Sequence, residues 1–113
     1  MIKRTNKYKN IKTTVGNLKF DSKKEAKRFE ELLLLLKAHE IQDLRLQHSF
    51  TLIESYTALD GEKIKAMKYI ADFTYTDRKR GFVVEDVKGK RTDVYKIKKK
   101  LMKDIYDISI TEV

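Results

Sequence analysis

The spacing of apolar and polar residues changes several times along the chain, and each change predicts a different element. From Phe20 to Glu40, apolar residues recur at helical spacing behind Ser22, a good N-cap residue, which predicts a helix of roughly five turns. From Leu44 to Leu52 the period becomes two, which predicts a strand with one apolar face. Residues 92–105 return to helical spacing and predict a second helix.

Turn signals set the order of the remaining strands. The Asp60–Gly61 pair predicts a hairpin whose return strand covers residues 64–76. A second turn, at 77–81, leads into a third strand at 82–88, and residues 107–113 form a short final strand. The predicted order is helix, three-stranded antiparallel meander, helix and strand. This order predicts an α/β fold with a mixed central sheet flanked by helices.

The domain organisation follows from length and from the basic start of the chain. At 113 residues the chain is long enough for one domain with a modest core. Residues 1–12 are basic with few apolar positions, so we expect an N-terminal arm followed by a single domain at 13–113. Gly16 and Asn17 tolerate positive φ and predict a short hairpin at the start of that domain.

Charge points to a polyanionic partner, and the second helix carries much of it. The formal net charge is +9, which favours nucleic acid as the partner. The helical pattern places one apolar set inward, namely Val94, Ile97, Leu101 and Ile105, and one basic set outward, namely Lys96, Lys99, Lys100 and Lys103. These lysines predict phosphate contacts, with a merely solvated face as the alternative.

Composition excludes several other classes of function. The chain has no cysteine, which excludes disulfides, thiolate zinc sites and a cysteine nucleophile. The two histidines, His39 and His48, are too few for a histidine metal site, and we expect both to be ordinary, partly buried residues. The leucine run 32–36 is far shorter than a membrane span, and no signal peptide is visible, so we expect a cytoplasmic protein without membrane contact.

Two aspartates stand where their strands favour apolar side chains. Asp72 interrupts an apolar and aromatic strand, and an unpaired buried carboxylate costs several kcal/mol, so a cation or a metal should accompany it. Asp86 and Lys88 are two residues apart on a strand and therefore share a face. Pairing of the two strands would bring Asp72 beside Asp86. Hard oxygen ligands of this kind select magnesium or manganese.

A third carboxylate, Glu25, points into the apolar stripe of the first helix. The alternative is a capping box in which Glu25 bonds the backbone amide of Ser22. Alternatives also stay open for the other acids: Asp86 and Lys88 form a weak surface ion pair, or Asp72 pairs with a structural lysine. The leucine run contributes either to the core alone or also to an oligomer surface.

The order of these motifs resembles the PD-(D/E)XK nuclease superfamily. The motifs are "SKKE" at 22–25, "YIAD" at 69–72 and "EDVK" at 85–88, followed by a basic helix. Ala71 replaces the proline that gives the superfamily its name, which removes no ligand. The chain is also similar, over about residues 6–108, to small phage proteins described as endonucleases or Holliday-junction resolvases. The resemblance implies a restriction-endonuclease-like core.

The resemblance also implies a set of site residues. Asp72 and Asp86 would hold Mg²⁺, or Mn²⁺ in its place, with the backbone carbonyl of Val87 as a further ligand. Glu25 would reach the ion directly or through water, and Lys88 would hold the attacking water or neutralise charge on the phosphate. The expected DNA contacts are Lys90, Arg91, Lys96, Lys99, Lys100, Lys103 and Gln47.

The expected function is therefore a magnesium-dependent endonuclease that hydrolyses phosphodiester bonds in branched DNA. Symmetric cleavage of a junction needs two active sites, so a homodimer is expected. Two alternatives remain, a catalytically silent DNA-binding module of the same fold and a nuclease that acts on single strands or flaps.

Overall fold

The computed structural model describes residues 13–15, 18–87 and 91–113. Ten elements follow one another within these described residues. They are β1 (Thr13–Val15), β2 (Leu18–Phe20), α1 (Lys23–Lys37), β3 (Ile41–Ile53), β4 (Tyr56–Thr57), β5 (Lys63–Ile64), β6 (Met67–Asp77), β7 (Gly81–Asp86), α2 (Asp93–Tyr106) and β8 (Thr111–Glu112). They belong to two compact units, residues 1–41 and 42–113.

The first unit combines a hairpin with helix α1. Strands β1 and β2 pair antiparallel, which confirms the predicted hairpin, although its two connecting residues lie outside the described ones. The hydroxyl of Ser22 accepts from the backbone amide of Glu25 at 3.1 Å, so the predicted N-cap is confirmed. The helix buries four residues, and the rings of Phe20 and Phe29 lie 5.0 Å apart. The four are Glu25, Ala26, Phe29 and Leu32.

The second unit is built on a four-stranded sheet with the order β3-β6-β7-β8. Strands β6 and β7 are antiparallel, whereas β7 and β8 are parallel and are connected through α2. A parallel pair needs such a crossover connection because a tight turn joins only antiparallel neighbours. The predicted α/β class with a mixed sheet and two helices is therefore confirmed. The predicted arm, residues 1–12, lies outside the described part of the chain.

The first predicted turn is confirmed, but the return strand is divided. Gly61 has φ of 91° and its amide donates to the carbonyl of Ala58 at 2.9 Å, as expected at a tight turn. Strands β4 and β5 pair here as a separate two-stranded ribbon. The strand that joins the main sheet begins only at Met67, three residues later than predicted. Local pairing across the turn therefore ends before the main sheet begins.

Helix α2 is rotated relative to the prediction. Of the residues expected to face inward, Val94, Ile97 and Ile105 are 61%, 55% and 45% exposed. The residues that the helix buries are instead Tyr95 and Met102. The spacing predicted the helix correctly, but of the four residues expected to face inward one, Leu101, packs against the core. A large aromatic ring and a flexible thioether fill the space over the sheet instead of the smaller branched side chains.

One hydrophobic cluster of the second unit joins residues of α2 to residues of the sheet. Its eight buried members are Phe50, Leu52, Tyr69, Ala71, Val84, Tyr95, Met102 and Ile110, and Leu101 packs against them. Strand β3 alternates as predicted, because Phe50 and Leu52 are buried whereas Ser49 and Ile53 are exposed. No helix in the described ranges is long and apolar enough to cross a membrane.

Candidate functional site

The pairing of β6 with β7 brings Asp72 and Asp86 to neighbouring positions. The register aligns Thr74 with Val84 and Phe73 with Glu85. One residue further along each strand, the same antiparallel register reaches Asp72 and Asp86. The predicted pairing of these two strands is therefore confirmed, and it places both aspartates at the end of the ladder.

Both aspartates are held by hydrogen bonds at this end of the sheet. Asp86 is only 1% exposed, and its Oδ2 accepts from the Tyr69 hydroxyl at 2.6 Å. Asp72 is half-buried, and its Oδ2 accepts from the backbone amide of Val87 at 2.7 Å. The two strands are thus joined through the Asp72 side chain just beyond the last residue of β7.

The pKa of the Tyr69 hydroxyl is affected by both aspartates of this site. Burial raises the pKa of its hydroxyl well above the ordinary value, and the hydrogen bond to Asp86 and the charges of Asp86 and Asp72 raise it further. The phenol therefore stays protonated and serves as a donor to Asp86. Both aspartates act on this one hydroxyl, which indicates that the two carboxyl groups lie near each other.

Glu85, the carboxylate next to Asp86 in sequence, has a different environment. It is fully buried, is paired with Phe73 in the ladder and accepts a hydrogen bond from the Tyr75 hydroxyl. Nη2 of Arg80 donates in turn to that hydroxyl at 3.2 Å. Of the two neighbouring acids, Asp86 is the one aligned with Asp72.

Several predicted site residues cannot be joined to this pair. Lys88 and Lys90 lie outside the described residues. Glu25 is 8% exposed in the first unit, so its part in a site of the second unit stays a prediction. Gln47 is exposed on β3 with φ of 53°, a conformation that non-glycine residues rarely adopt and that re-aims a side chain, and its contact with DNA also stays a prediction.

The basic face of α2 is present as the sequence predicts. Four lysines line one open groove with a volume of about 480 Å³, together with Ile108 and Ser109. The lysines are Lys96, Lys99, Lys100 and Lys103. Two of them already have acidic partners, because Lys99 lies 3.2 Å from Glu112 and Lys103 lies 3.0 Å from Asp107.

Glu112 is a polar residue at this site that the sequence analysis missed. It lies on β8, where its Cα is the partner of Asp86 in the parallel register. Its Oε2 accepts from the Tyr95 hydroxyl at 2.7 Å, and its Oε1 lies 2.6 Å from Nη2 of Arg91. Only the position of the final strand beside β7 gives Glu112 this role, and no local motif signals it.

The comparisons with known proteins give one match. Residues 5–111 match the model of a family described as Protein of unknown function (DUF1064). The chain belongs to this family. No curated protein and no solved structure gives a significant match to the chain.

The fit of a metal ion to this DUF1064 protein rests on two carboxylates. Across residues 18–87 and 91–113, no group of three or more His, Cys, Asp or Glu side chains is arranged to hold a metal ion. Asp72 and Asp86 nevertheless supply oxygen donors from neighbouring strands, which is the ligand chemistry that magnesium prefers. The described residues therefore fit a two-carboxylate site whose remaining ligands come from elsewhere.

The two histidines of this DUF1064 protein contribute no metal site in the described part of the chain. His48 is partly buried, as expected, and its Nδ1 shares a hydrogen bond of 2.7 Å with Oγ1 of Thr74. Burial, and then the charge of Arg45, lowers the pKa of His48. His39 is exposed in the turn after α1, so the expectation of partial burial is wrong there, because the helix ends before it.

Proposed function

We propose that this protein is a magnesium-dependent DNA endonuclease with a restriction-endonuclease-like core, acting on branched DNA. The observation that carries the proposal is the placement of Asp72 and Asp86 at neighbouring positions where the β6–β7 ladder ends. Two carboxylates held together there repel each other at neutral pH, and a divalent cation removes that repulsion. The resemblance to PD-(D/E)XK nucleases supports the same assignment.

In the proposed reaction Asp72 and Asp86 would hold the ion, and by the resemblance the carbonyl of Val87 would be a further ligand. Tyr69 keeps Asp86 in place through its hydrogen bond of 2.6 Å. By the resemblance, Glu25 completes the site and Lys88 holds the attacking water. The bound ion supplies a water of lowered pKa and offsets the negative charge that develops on the phosphate.

The groove on α2 supports DNA as the substrate. Its lysines lie on one side of the helix, and a one-sided cationic surface attracts the phosphate backbone regardless of sequence. Arg91 lies at the start of the same helix and extends that surface. Lys90 and Gln47 are the remaining proposed contacts.

Cleavage of a junction on both strands requires two copies of the site, so a homodimer is part of the proposal. Exposed apolar residues of α2 support it, because such residues favour contact with another surface when they lie together. They are Val94, Ile97 and Ile105, which share one side of the helix.

A second candidate function is a DNA-binding module without catalytic activity. It is favoured by the finding that the described residues contain two carboxylates at the site but no group of three potential ligands. Such a module would keep the basic groove and bind DNA without cutting it.

A substrate panel distinguishes these functions. Labelled four-way junction, linear duplex and single strand are incubated with the protein in Mg²⁺, in Mn²⁺ and in chelator. The proposal expects metal-dependent cleavage with the junction cut fastest. Binding without cleavage in either metal would identify the silent module, and preference for single strands would identify the alternative nuclease. Light scattering on the same sample tests the dimer.

A further inference from the structure

Three hydrogen-bond donors contact the carboxylate of Glu112 on the basic side of α2. Arg91 Nη2 lies 2.6 Å from Oε1, while Lys99 Nζ and the Tyr95 hydroxyl lie 3.2 and 2.7 Å from Oε2. The Glu112 side chain is 17% exposed. Two cations and a neutral donor thus surround a single anionic group that is largely removed from solvent.

This arrangement has the chemistry of a phosphate site. A guanidinium, an ammonium and a hydroxyl are the groups that contact phosphate oxygens in nucleic-acid complexes. A carboxylate is a planar anion with two accepting oxygens, and it satisfies the same donors. The hydrogen bond from Tyr95 is the largest of the effects that lower the pKa of Glu112; burial opposes it, and the interactions with Lys99 and Arg91 lower the pKa further.

Glu112 and its three donors lie beside the proposed active site. Glu112 is the register partner of Asp86 on the neighbouring strand, and the charge of Asp86 contributes to the raised pKa of Tyr95. A phosphate held by these three donors would therefore lie close to the proposed cleavage centre. The side chains of Arg91 and Lys99 are 56% and 44% exposed, so both are accessible from solvent.

We propose that Arg91, Tyr95 and Lys99 form a binding site for a backbone phosphate of DNA, and that the Glu112 carboxylate occupies this site in the wild type and competes with the phosphate for it. The proposal rests on the proposed function for its ligand. Glu112 acts as an internal competitor that keeps two cations from the polyanion. The groove lysines Lys96 and Lys100, by contrast, have no ion-pair partner in the described part of the chain and bind phosphate without competition.

The first test replaces the competitor. Glu112→Gln keeps the size of the side chain and an oxygen that accepts from Tyr95, but removes the charge that holds Arg91 and Lys99. Binding to a labelled linear duplex is measured in chelator over a series of salt concentrations. We expect affinity to rise about tenfold and the salt dependence to steepen by up to about 1.8, which is 0.9 for each of two new phosphate contacts.

Asp107→Asn is the matched control. It also removes one negative charge and one ion pair from the same face, but Asp107 is 90% exposed and its pair with Lys103 is screened by solvent. Asparagine also suits its left-handed backbone, with φ of 56°. We expect an effect of about twofold or less. Equal gains in the two variants would reduce the Glu112 effect to general electrostatics and overturn the proposal.

A second test needs no change at Glu112 and therefore stays valid if that variant folds poorly. Lys99→Ala and Lys100→Ala remove the same charge from adjacent positions. If Glu112 holds Lys99, only Lys100→Ala lowers the salt slope, by about 0.9. Equal slopes for the two variants contradict the proposal.

The outcomes separate this inference from the proposed function. A protein that binds duplex but cuts nothing refutes the nuclease and leaves the Glu112 comparison intact. A protein that cuts DNA while Glu112→Gln matches Asp107→Asn refutes only the phosphate site. Absence of any DNA binding by the wild type overturns both.

Discussion

The end of the β6–β7 ladder and helix α2 belong to the same unit, but different interactions position their side chains. Alternation along the two strands put Asp72 and Asp86 at neighbouring positions, as the register shows. The helical spacing predicted α2 correctly but placed Ile97 on the buried face, whereas the structure buries Met102 and leaves Ile97 exposed. The first region is defined by pairing and the second by packing.

The difference has a physical cause. A side chain on a strand can point to only one of the two faces of the sheet. Hydrogen bonds to the neighbouring strand then fix which residues lie opposite each other. A helix can rotate about its axis until its largest side chains are buried. Helix α2 has three different faces. Tyr95 and Met102 lie on the face that is buried in the core, and Ile97 lies on an apolar but exposed face. The lysines form the third face.

The largest expected effect tests this rotation. Met102→Ala removes a fully buried side chain and should lower the free energy of unfolding by about 2–5 kcal/mol. Ile97→Ala truncates a side chain that is 55% exposed and should change it by about 0.5 kcal/mol or less. Urea unfolding of both variants measures the difference. Similar losses would show that the helix buries the face that its spacing predicted.

The next effect concerns Glu25 and extends the comparison to helix α1. If Glu25 completes the proposed metal site, Glu25→Gln should lower cleavage at least tenfold, equivalent to about 1.4 kcal/mol, and raised Mg²⁺ or Mn²⁺ should restore part of it. If it only closes a capping box, glutamine replaces it with little effect.

Glu30→Gln is the control for that experiment, because Glu30 is an exposed carboxylate on the same helix. Melting temperatures of both variants are measured alongside cleavage. Full activity of Glu25→Gln with an unchanged melting temperature would restrict Glu25 to the helix cap.

A smaller effect tests the lysine face. Lys96→Ala combined with Lys100→Ala should weaken DNA binding and flatten the salt dependence by about 1.8, since each phosphate contact contributes about 0.9. Lys63→Ala combined with Lys65→Ala removes the same charge at exposed positions near the β4–β5 ribbon and serves as control. A salt slope that stays at the wild-type value would make the face merely solvated.

The smallest expected effect concerns the protonation of His48 on strand β3. Its lowered pKa means that the unfolded chain takes up the proton more readily, so protonation favours unfolding. The stability contributed by neutral His48 is present above its unfolded pKa, about 6.5, and is lost as the pH falls through that range.

His48→Gln should remove this part of the pH dependence. The wild type should lose more melting temperature than the variant when the pH is lowered from neutral to mildly acidic. Identical pH profiles for the two proteins would show that the hydrogen bond with Thr74 does not depend on the neutral ring.

The sequence predicted most of what depends on local order. The N-cap at Ser22, the turn at Gly61 and the alternation of β3 were all predicted, because each depends on a few adjacent residues. It also predicted the burial of Glu25, since one helix turn places it among apolar side chains.

What the sequence did not predict depends on contacts between distant residues. Glu112 became part of the site only because β8 pairs with β7 across the α2 crossover. The role of Tyr69 as donor to Asp86 depends on the approach of two strands, and its spacing gives no sign of it. No local sequence pattern assigns either of these roles to Tyr69 or Glu112.

Cleavage by the two aspartate variants tests the central claim most directly. Asp72→Asn and Asp86→Asn retain an oxygen that accepts from Val87 and Tyr69, so folding should survive while the charge that binds the cation is lost. Asp60→Asn, at an exposed turn, is the matched control. The account predicts that both site variants lose magnesium-dependent cleavage of junction DNA and bind it as tightly as the wild type or more tightly, while the control cuts normally. Cleavage at the wild-type rate by either site variant would contradict it.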